Sequence, residues 1–400
     1  MVGVSMATST AKLPGFHKAE RLKQLPPYLF VEIDKAKRKL QAEGKDVIDL
    51  GVGDPDLPTP PHIIERLKAA ADNPANHRYS FTEGIKPLRE AIARWYDRRF
   101  GVALNPDTEV LPLIGSKEGI ANFPLAVANP GDAVLVPEPC YPPYRSGTVF
   151  AGAEPVDMPL LEDNGFFPDL GDISQKAARR AKAMFLNYPN NPTAAVATAE
   201  QFQEAIDMAK TFGFAIAHDA AYTEVAFDGY KPMSFLQLPE GKAVGIEFHS
   251  LSKTYNMTGW RIGWACGNAA LIGALSQLKT NLDSGIFQPI QEAGIAALEG
   301  DQAPMQQTIA VYQERRNLIV DGLAKAGWQV SKPAASLYIW TRVPTQESSI
   351  AFAKRLLEQA HVVITPGVGF GPSGEGYVRF SLTVPTDRVQ EAVGRLAKAL

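Results

Sequence analysis

The chain has 400 residues, 45% of them apolar and 21% charged, enough to bury the cores of two or three domains and too apolar for a disordered or fibrous protein. Its 40 basic residues against 43 acidic ones leave a net charge of −3, with no surplus positive field for a phosphate backbone, which argues against a nucleic-acid binder. Cys140 and Cys266 are too few for a disulfide scaffold and lack C-x-x-C spacing for zinc, so no metal is expected and a reducing, cytoplasmic setting fits.

Residues 1–27 mix small, basic and proline residues without the apolar stretch of a signal peptide, and no later run approaches the ~18–20 apolar residues of a membrane span. The reading is a soluble, unprocessed protein with no membrane partner, opened by an arm that is ordered only by packing on something else. Next, VIDL at 47–50 reads as a strand running into the turn 51–55. From His62 to about Gly285 helical patterns alternate with short apolar runs, which is a βαβ rhythm. The predicted strands are 133–137 (AVLVP), 183–187 (AMFLN), 214–219 (FAIAHD), 244–249 (VGIEFH) and 261–266 (RIGWAC). Between them, Phe202, Ala205, Ile206 and Ala209 recur at helical spacing within 198–211.

Runs this apolar and without alternation predict an α/β fold with a mostly parallel central sheet covered by helices on both faces. Beyond Gly285 a long helical stretch, 288–325, precedes two strand-like segments and helices near 349–359 and at the end of the chain. This predicts a smaller α+β domain of residues 28–61 and 288–400 beside a larger one of 62–287. Its sheet draws on the 47–50 segment, and a cleft separates the two domains.

Parallel sheets place ligands outside the carboxyl ends of their strands, and several polar clusters fall there. Lys253 follows a buried strand within SLSKTYNMTGWRIG. A lysine desolvated beside other cations becomes a nucleophilic amine able to form a Schiff base; one whose stem packs while its head reaches water is the plainer reading. Neighbouring Ser250 and Arg261 could surround a phosphate. The letters Ser250 to Lys253 also match the S-x-x-K serine-nucleophile motif, but the partner motifs S-D-N and K-T-G are missing.

Asp219 ends an apolar strand and must find a cation or donors. It either caps a following helix or pairs with a protonated ring nitrogen, as a pyridoxal phosphate ring requires, with Tyr222 on the same side of the turn. NYPNNPT at 187–193 is a turn cluster or a pair of oriented amides including Asn191. Ser116 and Lys117 in GSKEG open a helix, as a plain cap or as an anion site. GFGPSG at 369–374 has G-x-G-x-x-G form but runs into a strand instead of a helix, which demotes a nicotinamide dehydrogenase. Arg379 inside that strand holds either a ligand carboxylate or an internal salt bridge.

Taken in order, GVGDP at Gly51, RYSFTEG at Arg78, GSKEG at Gly115, PEPCYPPY at Pro137, NYPNNPT at Asn187, HDAAY at His218, SLSKTYNMTGWRIG at Ser250 and YVRFSL at Tyr377 closely resemble the class I/II aminotransferases of the type I pyridoxal-phosphate fold. The resemblance spans nearly the whole chain and looks most like the LL-diaminopimelate branch and the related aspartate and alanine aminotransferases. It implies transfer of an amino group between an amino acid and a 2-oxo acid by ping-pong exchange, with glutamate and 2-oxoglutarate as one pair.

By that resemblance Lys253 would hold pyridoxal 5'-phosphate as an internal aldimine and shuttle the proton at the substrate α-carbon. Asp219 would keep the pyridine nitrogen protonated, and Tyr222 and Asn191 would bond the ring oxygen. Ser116, Lys117, Ser250 and Arg261 would cradle the phosphate, while Tyr141 would stack on the ring. Arg379, Asn191 and Gly53 would take the substrate, its distal end being read by loops that include Phe30 and residues 51–56. Tyr79 would reach the cofactor phosphate of a neighbouring subunit, which implies a homodimer with shared active sites. Ala194 stands where the family pattern N-P-T-G has glycine. A lyase on the same fold and a regulator without turnover are the alternatives.

Overall fold

The computed structural model describes residues 17–25, 29–80 and 82–400, and for residues 29–33 the backbone only. The arm expected over 1–27 thus lies largely outside the described residues, as does the Phe30 side chain.

The central sheet has seven strands: β2 Val110–Leu113, β3 Ala133–Glu138, β4 Glu154–Pro159, β5 Ala181–Asn187, β6 Ala215–Asp219, β7 Gly245–Ser250 and β8 Gly263–Gly267. β1, Ile48–Asp49, lies outside it. The order across the sheet is β2-β8-β7-β6-β5-β3-β4. Only β8 runs against the rest, since it is antiparallel to both β7 and β2. Every residue of β3, β6, β7 and β8 is buried, and separate apolar cores lie on the two faces of the sheet. This is the mostly parallel α/β layer that unalternating apolar runs predict.

β4 was absent from the expected strands because it reads poorly as one: EPVDMP has two prolines and partial exposure. Proline is tolerated at the edge of a sheet, where a missing N–H costs no ladder bond. The last predicted strand starts at Gly263 instead of Arg261 because Arg261 is left-handed, with φ 56°.

The second region is built on β9 Tyr338–Arg342, β10 Val362–Val363, β11 Thr365–Pro366 and β12 Tyr377–Ser381. β12 lies between β11 and β9, antiparallel to both. Within the 47–50 segment β1 pairs in parallel with β10 as a short ladder of its own, and Leu50 O accepts from Ser381 N of β12 at 2.7 Å. A third core gathers Ile48 and Leu50 with Tyr312, Leu323, Ile339, Phe380 and Leu396.

The expected helix over 288–325 is two helices, Gln288–Glu299 and Ala303–Lys325. The chain leaves helical geometry at Gly300, whose ψ is −169°, and Pro304 stands in the first turn of the next helix, where its missing N–H costs no helical bond. The first of these helices packs on Pro61–Ala71 and Lys86–Phe100, whereas Tyr312 and Leu323 of the second enter the third core. GFGPSG forms two short 3-10 turns, Gly367–Phe370 and Pro372–Gly374, and no long helix follows. Among the described residues no helix is long and apolar enough to cross a membrane, and no three His, Cys, Asp or Glu side chains gather as a metal site.

Candidate active site

The carboxyl ends of β5, β6 and β7 lie side by side and present Asn187, Asp219 and Ser250. Asn187 ties two of these ends together: its Nδ2 donates to the Asp219 carbonyl at 2.7 Å, and its Oδ1 accepts from Asn191 N at 2.8 Å. Asn190 is consumed by the turn, accepting from Thr193 N and Thr193 Oγ1 at 2.9 and 2.8 Å. Of the two adjacent asparagines, therefore, only Asn191 is turned towards the cleft.

A cavity of about 410 Å³ opens over these strand ends, lined by Ser116, Lys117, Tyr141, Asn191, Asp219, Tyr222, Ser250, Lys253 and Arg261. Nine of the twelve residues singled out from the sequence thus share one wall. Ser250 stands opposite Gly263 in the β7–β8 ladder, so Lys253 and Arg261 come from one excursion that leaves and rejoins the sheet at the same rung. Lys253 is half-buried, and its Nζ donates to the Gly53 carbonyl at 2.9 Å. That bond brings Gly53 to the site. A Cβ on Gly53 would lie 2.1 Å from Tyr338 Oη, so only glycine lets the 51–55 turn come this close.

One end of the cavity is built for an anion. Helix Ser116–Val127 begins there, and its first N–H groups have no partner within the helix. A Cβ on Gly115 would lie 2.4 Å from Arg261 Nη2, and one on Gly263 2.8 Å from Ser116 N. Two glycines therefore let the guanidinium and the β8 backbone close on the helix N-terminus. Ser250 and Ser252 add hydroxyls to the same wall.

Asp219 forms the floor. It is buried, accepts from Tyr144 Oη at 2.8 Å and from Ala221 N at 3.2 Å, and pairs with no Lys, Arg or His among the described residues. Burial pushes its carboxyl above the usual range, and the bonds from Tyr144 and Ala221 pull against that shift. A buried carboxylate with hydroxyl and amide donors but no cation suits a cationic N–H arriving from the cavity. Tyr222 Oη lies 3.1 Å from Tyr338 Oη, and burial raises its phenol well above the ordinary value.

Arg379 lies beside this cavity. It donates to Asn191 Oδ1 and to the Gly51 carbonyl, both at 2.7 Å. Its guanidinium lies 4.0 Å from the Tyr338 ring centroid and 4.5 Å from that of Phe370. Tyr79 is the one predicted residue that the chain does not bring in: it is 91% exposed and lines a separate surface cavity with His77, Arg78 and Phe287.

The family model for aminotransferase class I and II matches residues 45–396. A protein named LL-diaminopimelate aminotransferase from Syntrophobacter fumaroxidans is 56% identical over 96% of this chain and 99% of its own length. One of the same name from Desulforudis audaxviator is 54% identical over 96% and 98%. Among solved structures, substrate-bound BacF from Bacillus subtilis superposes with a TM-score of 0.91 at 40% identity, covering 96% of this chain and 98% of that one. The chain belongs to the class I and II aminotransferases.

In this aminotransferase two side chains at the site escaped the sequence reading. Tyr144, which holds Asp219, is the second tyrosine of PEPCYPPY, three residues beyond Tyr141 and the second residue of a helix that opens with proline. That spacing is a usable signal. Tyr338, which meets Tyr222, Gly53 and Arg379, has no comparable local signal and is brought in by β9 pairing with β12. Ala194 adopts φ 57°, the left-handed geometry that favours glycine at this turn.

Proposed function

We propose that this aminotransferase exchanges the amino group of LL-diaminopimelate with a 2-oxo acid, 2-oxoglutarate and glutamate forming one pair, and uses pyridoxal 5'-phosphate. The observation that carries the substrate is the near-full-length similarity to relatives bearing that name. The donor set of the cavity fits the cofactor: an anion cradle that a Cβ at Gly115 would fill, a buried carboxylate that pairs with no cation among the described residues, and the Lys253 amine in the same wall. Bound there, the cofactor supplies a ring that withdraws electrons from the substrate α-carbon.

Lys253 is the amine that would hold the cofactor and would take up and return the proton at the substrate α-carbon. Asp219 accepts the pyridine N–H and keeps that nitrogen protonated. Tyr222 and Asn191 donate to the ring oxygen, while Tyr141 covers the ring face. Ser116, Ser250, Arg261 and the backbone at Lys117 hold the phosphate. Arg379 grips the substrate α-carboxylate, a planar match for its two donors, with Gly53 and Asn191 beside it.

In this reading residues 62–287 form the cofactor domain, and residues 28–61 and 288–400 the smaller one that brings Gly53 and Arg379. Exposed Tyr79 serves the cofactor phosphate of a second subunit in a homodimer, and the setting is cytoplasmic. A panel of amino donors against 2-oxoglutarate tests the function. LL-diaminopimelate should be the fastest donor; alanine or aspartate leading would move the substrate, and ammonia release without an acceptor would indicate a lyase. Lys253→Ala should abolish turnover.

A further inference from the structure

Glu138 is the last residue of β3, 5% exposed, and takes no part in the site described above. A buried carboxylate must be satisfied by donors, and those of Glu138 come from a single loop of the smaller region. Oε1 accepts from Ser373 N at 2.9 Å, and Oε2 accepts from Ser373 Oγ. The loop backbone lies directly on the carboxylate, since a Cβ on Gly371, where φ is 142°, would fall 2.0 Å from Oε1. Two residues along, Cys140 N donates to the Phe370 carbonyl at 2.9 Å. Residues 370–373 are thus held by the stretch 138–140 from both sides of Gly371.

What the loop carries is the Phe370 ring, which covers one side of the Arg379 guanidinium at 4.5 Å while Tyr338 covers it at 4.0 Å. Tyr338 belongs to a strand, but Phe370 sits on a 3-10 turn outside every ladder. Its place is set by what anchors the turn together with the Trp340 ring, which it meets edge-on at 6.2 Å. Guanidinium orientation decides whether two N–H groups can meet a carboxylate together.

We propose that Glu138 is a positioning residue for the substrate-carboxylate clamp, acting through the loop that seats Phe370 against Arg379. The inference rests on the clamp reading of Arg379. It links the end of β3 in the central sheet to a guanidinium of the other region, and does so without touching substrate or cofactor.

Glu138→Ala should raise KM for amino donor and oxo acid alike by about tenfold, the scale of one lost cation–aromatic contact, with kcat changed far less. The dissociation constant of maleate, a dicarboxylate without a reacting group, should rise by the same factor in calorimetry, and that of pyridoxal phosphate should stay put. In a double-mutant cycle, Glu138→Ala added to Phe370→Ala should cause little further loss. Unchanged KM and maleate affinity, or losses that simply add, would overturn the proposal. Should Glu138→Ala not fold, Glu138→Gln decides: it keeps one acceptor for Ser373, so a rise of about threefold is expected, and no rise overturns. Arg379→Ala separates the two levels. If it leaves KM alone, the clamp itself is wrong; if it raises KM while the Glu138 variants do not, only the positioning role falls.

Discussion

The Tyr144 hydroxyl donates to Asp219 Oδ2 over 2.8 Å, from a ring stacked on Phe185 at a centroid distance of 4.9 Å. Burial raises the Tyr144 phenol far above its ordinary value, and neighbouring Asp219 adds to the shift. The group therefore stays a donor across the working pH range. Ala221 N occupies the other oxygen, so both oxygens are fixed and still have lone pairs for a ligand. Tyr144→Phe should raise the dissociation constant of pyridoxal phosphate by about ten- to a hundredfold, the scale of one hydrogen bond to a charged group. Titration of the apoprotein with cofactor checks this, and an unchanged constant would show that Asp219 is held by other means.

Gly53 is limited by contact, not by backbone angle. A methyl there would meet Tyr338 Oη at 2.1 Å and the ring carbons Cε1 and Cζ at 2.5 and 2.6 Å. Relief requires the turn to move, and with it the carbonyl that Lys253 bonds. Displacement of about 1 Å at a reacting centre costs about a hundredfold, so Gly53→Ala should lower kcat/KM by that order. Adding Tyr338→Phe should not rescue it, because the ring carbons still collide. Recovery in the double variant would show that the hydroxyl alone sets the limit.

Ala194 presents three opposed terms. A left-handed alanine costs about 1–2 kcal/mol, glycine brings about 0.5–1 kcal/mol of extra chain entropy, and the buried methyl contributes about 0.8 kcal/mol. Ala194→Gly should therefore change stability by less than about 1 kcal/mol and leave turnover intact, as urea unfolding and a standard assay would record. A loss above about 2 kcal/mol would mean that the methyl packs better than this ledger allows.

Beneath the site Glu247 is fully buried and accepts from Tyr96 Oη, with His218 Nδ1 and His249 Nε2 at 2.8 and 3.0 Å. Burial alone would raise its carboxyl, but the bonds from the two histidines outweigh it and hold the group well below the carboxylate range. The folded value lies below the unfolded one. Its contribution to stability is therefore full above the unfolded pKa of about 4.5 and is lost as pH falls below that. Glu247→Gln should flatten this part of the acid limb, seen as a shallower fall in urea midpoint between about pH 5 and about pH 3. Glu247→Ala should cost about 3–5 kcal/mol at neutral pH. Equal acid slopes in parent and Glu247→Gln would rule out this ionisation as the cause.

The residues that sequence reading found at the site are those whose role depends on local order: a lysine just past a buried strand, an aspartate at a strand end, an arginine inside an apolar run. Parallel-strand topology then brings the first two together without further information, whereas the arginine arrives on an antiparallel strand of the other region. Tyr338 and Glu138 act across 116 and 235 residues of chain, and no local pattern marks which segments will meet. β4 was hidden because an edge strand needs neither apolar alternation nor a full set of N–H groups. The break at Gly300 was hidden because apolar spacing continues on both sides of it. Tyr79 turns away from its own cavity and stands exposed on the surface, where no pattern along the chain marks its role.

Since Ser250 and Gly263 face one another across two hydrogen-bonded strands, Lys253 and Arg261 ride on a segment pinned at both feet. Any shift of the region that carries Arg379 alters its reach to the amine but leaves the span from amine to cradle intact. The molecule thus carries a rigid gauge from amine to cradle, set by a single rung of the central sheet and independent of where the other region stands.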